Sequence, residues 1–168
     1  MFELDDNELL AYIKDDVPYF DMTTYLQNCN DVEINLKIFT REDIIVSCSE
    51  DAVRIAKLLS CEVIDFKPSK TKVLKDEVII EIKGDYNKIQ QAHRLIQILL
   101  EYSCKIATTT KNFVEKIEEI NSNCELLTTR KTYPFSKRFC IKSILNGGAM
   151  PHRLGLSETV LFFESHRK

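Results

Sequence analysis

Apolar and polar positions along this chain change their period twice, and each change predicts a different kind of element. Asp5, Asp6 and Asn7 offer helix caps ahead of Leu9, Leu10 and Ile13, whose spacing marks one apolar stripe and predicts a short first helix ended by Pro18. From Val32 to Phe39 the period drops to two, with Ile34, Leu36 and Ile38 alternating with Glu33, Asn35 and Lys37, as in a strand with one face buried. A second strand is expected from Ile44 to Cys48. Ser49 then caps a helix with Val53, Ile55, Ala56 and Leu59 on its inner side, ending near Ser60, with Glu50 and Asp51 close to the positive end of its dipole. Strands over Glu62 to Phe66 and Glu77 to Lys83 bracket the Lys67-Pro68-Ser69-Lys70 loop, and Gly84-Asp85 is read as a turn.

At Lys88 the period becomes about 3.6. Ile89, Ala92, Leu95, Ile96, Leu99 and Leu100 predict a long helix to Cys104, and Phe113, Ile117 and Ile120 a second helical stretch. Beyond these lie a strand around Cys124 to Leu127, a loop, a helix opened by Pro134, a Gly147-Gly148 turn and a strand around Thr159 to Phe163. Strands grouped with one helix suggest an α+β layer domain with an antiparallel or mixed sheet, and the last part reads as the start of a β/α alternation. One or two parallel strands cannot cover both faces of a sheet, so this region is expected to belong to a larger α/β body or to need a partner.

Composition narrows the function. The chain has 168 residues, 44% hydrophobic and 29% charged, enough for one ordinary domain or two small ones. Its formal net charge of -3 argues against a general nucleic-acid or membrane-surface role, so any basic site is local. The acidic start from Met1 to Asp6 and the lack of a ~20-residue apolar run lead us to expect a soluble, cytoplasmic protein. Of six scattered cysteines, none in C-x-x-C spacing, most read as small buried core residues rather than metal ligands or disulfides.

The candidate chemistry is cationic. Thr129, Arg130 and Lys131 follow the apolar Leu126-Leu127 strand, and strand carboxyl ends form the ligand-binding mouth of α/β barrels. The guanidinium fork and the compact ammonium suit carboxylate or phosphate groups; a solvated basic turn fits the same spacing. His152 and Arg153 present an imidazole and a second guanidinium behind Gly147-Gly148, which allows close backbone approach, positive φ, or simply a tight turn. No Gly-Lys-Ser/Thr follows the glycines, so nucleotide triphosphate hydrolysis has no support. His93 and Arg94 read as outward-facing polar residues, and no nucleophile with a base, nor a carboxylate cluster for magnesium, is apparent.

Taken in order, Thr129-Arg130-Lys131-Thr132, Gly147-Gly148, His152-Arg153 and Glu158 resemble the quinolinate phosphoribosyltransferases, also called nicotinate-nucleotide pyrophosphorylases (carboxylating). The resemblance covers essentially the whole chain. Asp16 to Thr24 is similar to the family's amino-terminal stretch, and Arg94 through Ser103 to Thr108 to its long helix. Leu100 to Ser103, His152 to Thr159 and Glu164 to Arg167 look most like the ModD-type branch, pyrophosphorylases associated with molybdenum transport genes.

The resemblance implies an α+β amino-terminal sandwich domain over residues 1–105, then the first part of an α/β barrel over 106–168, an incomplete TIM-like barrel. It implies a homodimer with the active site at the subunit interface. The implied reaction, part of NAD biosynthesis, moves phosphoribosyl from phosphoribosyl pyrophosphate to a ring nitrogen of a small anionic, pyridine-carboxylate-like acceptor, with Mg2+. Carried over by position, Thr129, Arg130, Lys131, His152 and Arg153 bind substrate, and Arg94 reaches into the neighbouring subunit's site. Phe163 stands where the family has a substrate-contacting lysine, and Ala149 replaces the turn's third glycine. The family's metal and ribose ligands are expected beyond Lys168. The alternative is a catalytically incomplete fragment acting as a dimerisation or anion-binding module, with any tie to molybdenum transport resting on gene association.

Overall fold

The structure, a computed structural model, describes residues 3–29 and 31–167. Helix α1 (Asp6–Asp16) opens on a capping box in which Asp5 Oδ1 accepts from Glu8 N–H and Glu8 Oε2 accepts from Asp5 N–H, both at 2.8 Å. Leu9 and Ile13 are buried along its inner stripe, and it stops two residues before Pro18. A short helix α2 (Met22–Gln27) follows; the sequence pattern did not reveal it, because six residues are too few to display a period and only Thr24 is buried.

Strand β1 (Glu33–Phe39) pairs antiparallel with β5 (Val78–Asp85), which in turn pairs with β3 (Glu62–Phe66), so β5 is central in the order β1-β5-β3. The register places Leu36 opposite Ile82 and Ile38 opposite Ile80 in the core, while Lys37 opposite Glu81 makes a 3.3 Å ion pair. The second expected strand shrinks to β2 (Ile44–Ile45), paired with β4 (Lys72–Val73). Helix α3 (Ser49–Leu58) buries Val53, Ile55 and Ala56. Its cap differs from expectation: Cys48 occupies the N-cap in a left-handed conformation, φ 59°, with no capping side chain, and Ser49 Oγ is buried without a partner among the described residues.

The two expected helices after β5 are one, α4 (Tyr86–Ile120), 35 residues and thus about 52 Å long. Gly84 lies in β5 rather than in a turn, and Asp85 caps α4 by accepting from Asn87 and Lys88 N–H at 3.0 and 3.3 Å. The stripe of Ile89, Ala92, Ile96 and Leu100 packs into the sandwich core; further along, Ala107 and Thr110 are buried while Phe113 and Ile120, which marked the second helical stretch, are exposed. Residue 105 falls inside this continuous helix.

After α4, β6 (Leu127–Thr128) runs parallel to β7 (Met150–Pro151), with α5 (Lys137–Asn146) as the crossover. Ile141, Ile144 and Ala149 form a second small core with Ile106, Val114 and Leu126. Two expectations change here. Pro134 lies in a turn before Ser136 rather than opening α5, and Thr159 to Phe163 form no strand, having no neighbouring strand among the described residues to take their backbone bonds; a 3-10 turn, Glu164–His166, follows them. None of the described helices is long and apolar enough to cross a membrane.

Candidate functional site

Helix α5 is held in place by a polar clamp that composition alone did not reveal. Lys142 Nζ lies 2.6 Å from Asp51 Oδ2, a fully buried carboxylate in the first turn of α3, and 3.0 Å from Glu3 Oε2. Arg138 Nη1 reaches Glu8 Oε2 at 2.6 Å, and the buried Ser47 Oγ donates to Ser143 Oγ at 3.0 Å while accepting from Asn146 Nδ2 at 2.9 Å. Burial works against the Lys142 charge, but the bonds to Asp51 and Glu3 outweigh it and hold the ammonium above the ordinary lysine range.

With α5 fixed, the glycine pair sets the return of the chain. Gly147 has an ordinary φ of -81° but sits so close to α4 that a Cβ would lie 2.5 Å from Thr110 Cβ and 2.6 Å from Ala107 O. Gly148 has φ +92°, and a Cβ there would meet only ordinary contact with Val114 at 3.8 Å, so the two glycines meet different needs, one of approach and one of conformation. The chain then enters β7 beside β6, tied by Met150 N–H to Leu126 O at 3.1 Å and His152 N–H to Thr128 O at 3.0 Å.

Parallel pairing brings the carboxyl ends of β6 and β7 to the same edge, so Thr129-Arg130-Lys131 and His152-Arg153 become neighbours. Arg130, Lys131 and His152 are exposed, and no acidic side chain among the described residues pairs with them. The loop is braced locally: Thr129 Oγ1 accepts from Lys131 N–H at 3.4 Å, and Arg130 O accepts from Thr132 N–H at 3.0 Å. Arg153 is half-buried and donates from Nη1 to Thr159 O at 3.3 Å. Arg94 stands apart, exposed on α4, with no hydrogen bond or ion pair linking it to the strand-end cations.

The adjacent basic pair diverges. Lys131 and Thr129 line a cleft of about 730 Å³ between α1, α4, α5 and the β6–α5 loop, whereas Arg130, His152 and Arg153 do not. The cleft walls, among them Tyr12, Leu95, Leu99 and Phe139, were not singled out as site residues from the sequence. A signal was present: Leu95, Ile98, Leu99 and Tyr102 widen α4's apolar stripe beyond what one packing face requires.

An antiparallel α+β sandwich leads through one helix into a parallel β-α-β unit with cations at its strand ends. The chain belongs to the quinolinate phosphoribosyl transferase family: the family's N-terminal domain matches residues 21–104 and its C-terminal domain residues 106–168. It is 32% identical over 167 residues to the "Putative pyrophosphorylase ModD" of Rhodobacter capsulatus, covering 99% of this chain and 64% of that protein. It is 25% identical over 154 residues to the "Probable nicotinate-nucleotide pyrophosphorylase [carboxylating]" of Methanothermobacter thermautotrophicus, covering 92% and 55%. Among solved structures, the nicotinate-nucleotide pyrophosphorylase of Francisella tularensis superposes with a TM-score of 0.87 at 25% identity, covering 98% of this chain and 59% of that one. NadC from Streptococcus pyogenes, at 21% identity and the same TM-score, covers 96% and 58% and shares the fold. The chain thus spans roughly three fifths of the length of the relatives it matches.

Proposed function

We propose that this chain forms the acceptor-binding side of a phosphoribosyltransferase site, where phosphoribosyl passes from phosphoribosyl pyrophosphate to a ring nitrogen of a pyridine-carboxylate-like acceptor and pyrophosphate leaves. The supporting observation is the gathering of Arg130, Lys131, His152 and Arg153 on one edge by the parallel β6–β7 pairing. Positive charge develops on the ribose and negative charge on the departing pyrophosphate, so cations already in place lower the barrier without reorganising at the moment of reaction. Arg130 offers a planar fork to a carboxylate or phosphate, Lys131 a point charge, and His152 a ring nitrogen to a second anionic group. Arg94, exposed and without an acidic partner among the described residues, is free to serve the site of a second copy in a homodimer.

Magnesium is the cation that the family resemblance implies, and among the described residues no three His, Cys, Asp or Glu side chains cluster to hold a metal. Glu158 is engaged by Leu154 N–H. Phe163 stands where the family carries a lysine and stacks on His166 at 5.9 Å, which favours an acceptor with less negative charge than a pyridine dicarboxylate.

The test is pyrophosphate release by the purified chain in magnesium buffer with phosphoribosyl pyrophosphate and a panel of pyridine acids, alongside thermal melting with the same donor. Stabilisation plus turnover is expected, and Arg130→Ala is expected to lower kcat/KM about 10²- to 10³-fold. Melting unchanged by donor, with no acceptor turned over, would overturn the reading.

A further inference from the structure

The cleft beside Lys131 has the size and chemistry of a ligand pocket rather than of a packing flaw. Its volume of about 730 Å³ is within the ~300–1,000 Å³ range of small-molecule sites. Three helices supply apolar walls, with Leu95, Ile98 and Leu99 from α4 facing Phe139 from α5 and Tyr12 from α1. The walls are fixed: the Tyr12 and Phe139 rings pack at 5.8 Å, and Tyr12 Oη donates to Phe135 O at 3.3 Å, pinning the β6–α5 loop to α1. Such a surface suits a flat, apolar ring system.

Thr128, Thr129, Lys131, Thr132 and Ser136 break the apolar lining on one side, and Lys131 is the one charged residue of that lining among the described residues. Lys131 contributes an ammonium with no acidic partner among the described residues, and Thr128 Oγ1 is buried with no hydrogen-bond partner among them. One cation matches one carboxylate. A second carboxylate in this cleft would be desolvated without a counter-charge, a cost of several kcal/mol in general, since Arg130, His152 and Arg153 lie outside the lining.

We propose that this cleft binds an aromatic monocarboxylate with an extended apolar body, its carboxylate on Lys131 and its rings between α4 and α5. That such a molecule is the phosphoribosyl acceptor rests on the function proposed above; that the cleft binds it does not.

Isothermal titration of the whole chain with 1-naphthoate, 2-naphthol and quinolinate tests the binding. Naphthoate is expected to bind at least tenfold more tightly than quinolinate. Ile98→Trp, which fills the cleft, is expected to weaken naphthoate at least tenfold. Lys131→Met, a change at an exposed side chain that leaves folding intact, is expected to weaken naphthoate by a similar factor while changing 2-naphthol less than twofold. Naphthoate binding no tighter than quinolinate, or unaffected by both variants, overturns the proposal. So does self-association lost on Ile98→Trp without naphthoate binding, which would assign the cleft to a second copy. Quinolinate turnover with no naphthoate binding would refute the cleft proposal alone; naphthoate binding without any pyrophosphate release would leave the cleft standing and remove the transferase reading.

Discussion

At residue scale the two adjacent glycines are not equivalent, and substitution separates them. Gly147→Ala forces a methyl against Thr110 and the Ala107 carbonyl, so overpacking of about 1–3 kcal/mol is expected. Gly148→Ala has room for its methyl but keeps φ near +92°, at a cost of about 1–2 kcal/mol. Urea unfolding of both variants checks this, and a Gly147→Ala protein as stable as the parent would show that α5 can shift away from α4. The thiols divide in the same way. Burial pushes Cys104 up to about 11 and raises Cys48 and Cys61, whereas Cys124 is exposed. Because the thiolate is the reactive form, a disulfide reagent at pH 8 is expected to label Cys124 in the native protein and the three buried thiols only on unfolding. Equal rates at all four would contradict the burial.

At the scale of elements, α3 shows how a helix start is tied to a distant loop. Glu50 Oε1 accepts from Ser69 N–H at 2.9 Å and Oε2 from Ser69 Oγ at 2.5 Å. Burial pushes the Glu50 carboxyl up, but these bonds outweigh it and leave it below the usual carboxylate range. A carboxyl depressed in the fold contributes stability above its unfolded pKa, and that contribution fades as pH falls through its folded value. Glu50→Gln is therefore expected to flatten the acid limb of the Tm-against-pH curve, with little change in its slope above the carboxylate range; an unchanged acid limb would deny the Ser69 bonds their role. Helix α4 makes the complementary point. Thr108-Thr109-Thr110 looks like a weak point in a helix, yet Thr108 Oγ1 accepts from Ile45 N–H at 2.9 Å and donates to Cys104 O at 2.7 Å, and Thr110 is the contact surface for Gly147. The hydroxyls that interrupt the apolar pattern are what join this helix to β2 and seat α5.

On the scale of the molecule, the clamp between α3 and α5 couples the sandwich to the β-α-β unit that carries the cations. Lys142→Met leaves the Asp51 carboxylate buried with Arg54 at 3.7 Å as its remaining nearby cation, and a loss of about 3–5 kcal/mol is expected. Replacing both partners, as Asp51→Leu with Lys142→Met, is expected to recover much of that loss, because the desolvated charge disappears with its counter-ion. Chemical denaturation of the single and double variants decides it: a double variant as unstable as the single one would mean that the clamp acts through shape rather than charge.

Much of the sandwich was legible along the chain, because its strands alternate with period two over five to eight residues and its helices carry long stripes; Glu62–Phe66 is bounded in the structure as the pattern bounds it. The family, too, could be recognised from the ordered motifs at Thr129 to Thr132, Gly147-Gly148 and His152-Arg153, since a motif is a local property. Elements of two residues such as β6 and β7 are too short to show a period, and their parallel pairing joins residues more than twenty positions apart. Hence the sequence by itself determined which cations are available and the order of the main elements. Only the tertiary structure decided that α4 is continuous, that Thr159 to Phe163 stay unpaired, and that Lys131 turns into an apolar cleft while Arg130 does not. Those outcomes depend on which surfaces are brought within a few ångströms of one another by the clamp and by Gly147, and such contacts between distant segments leave no periodic trace in the chain.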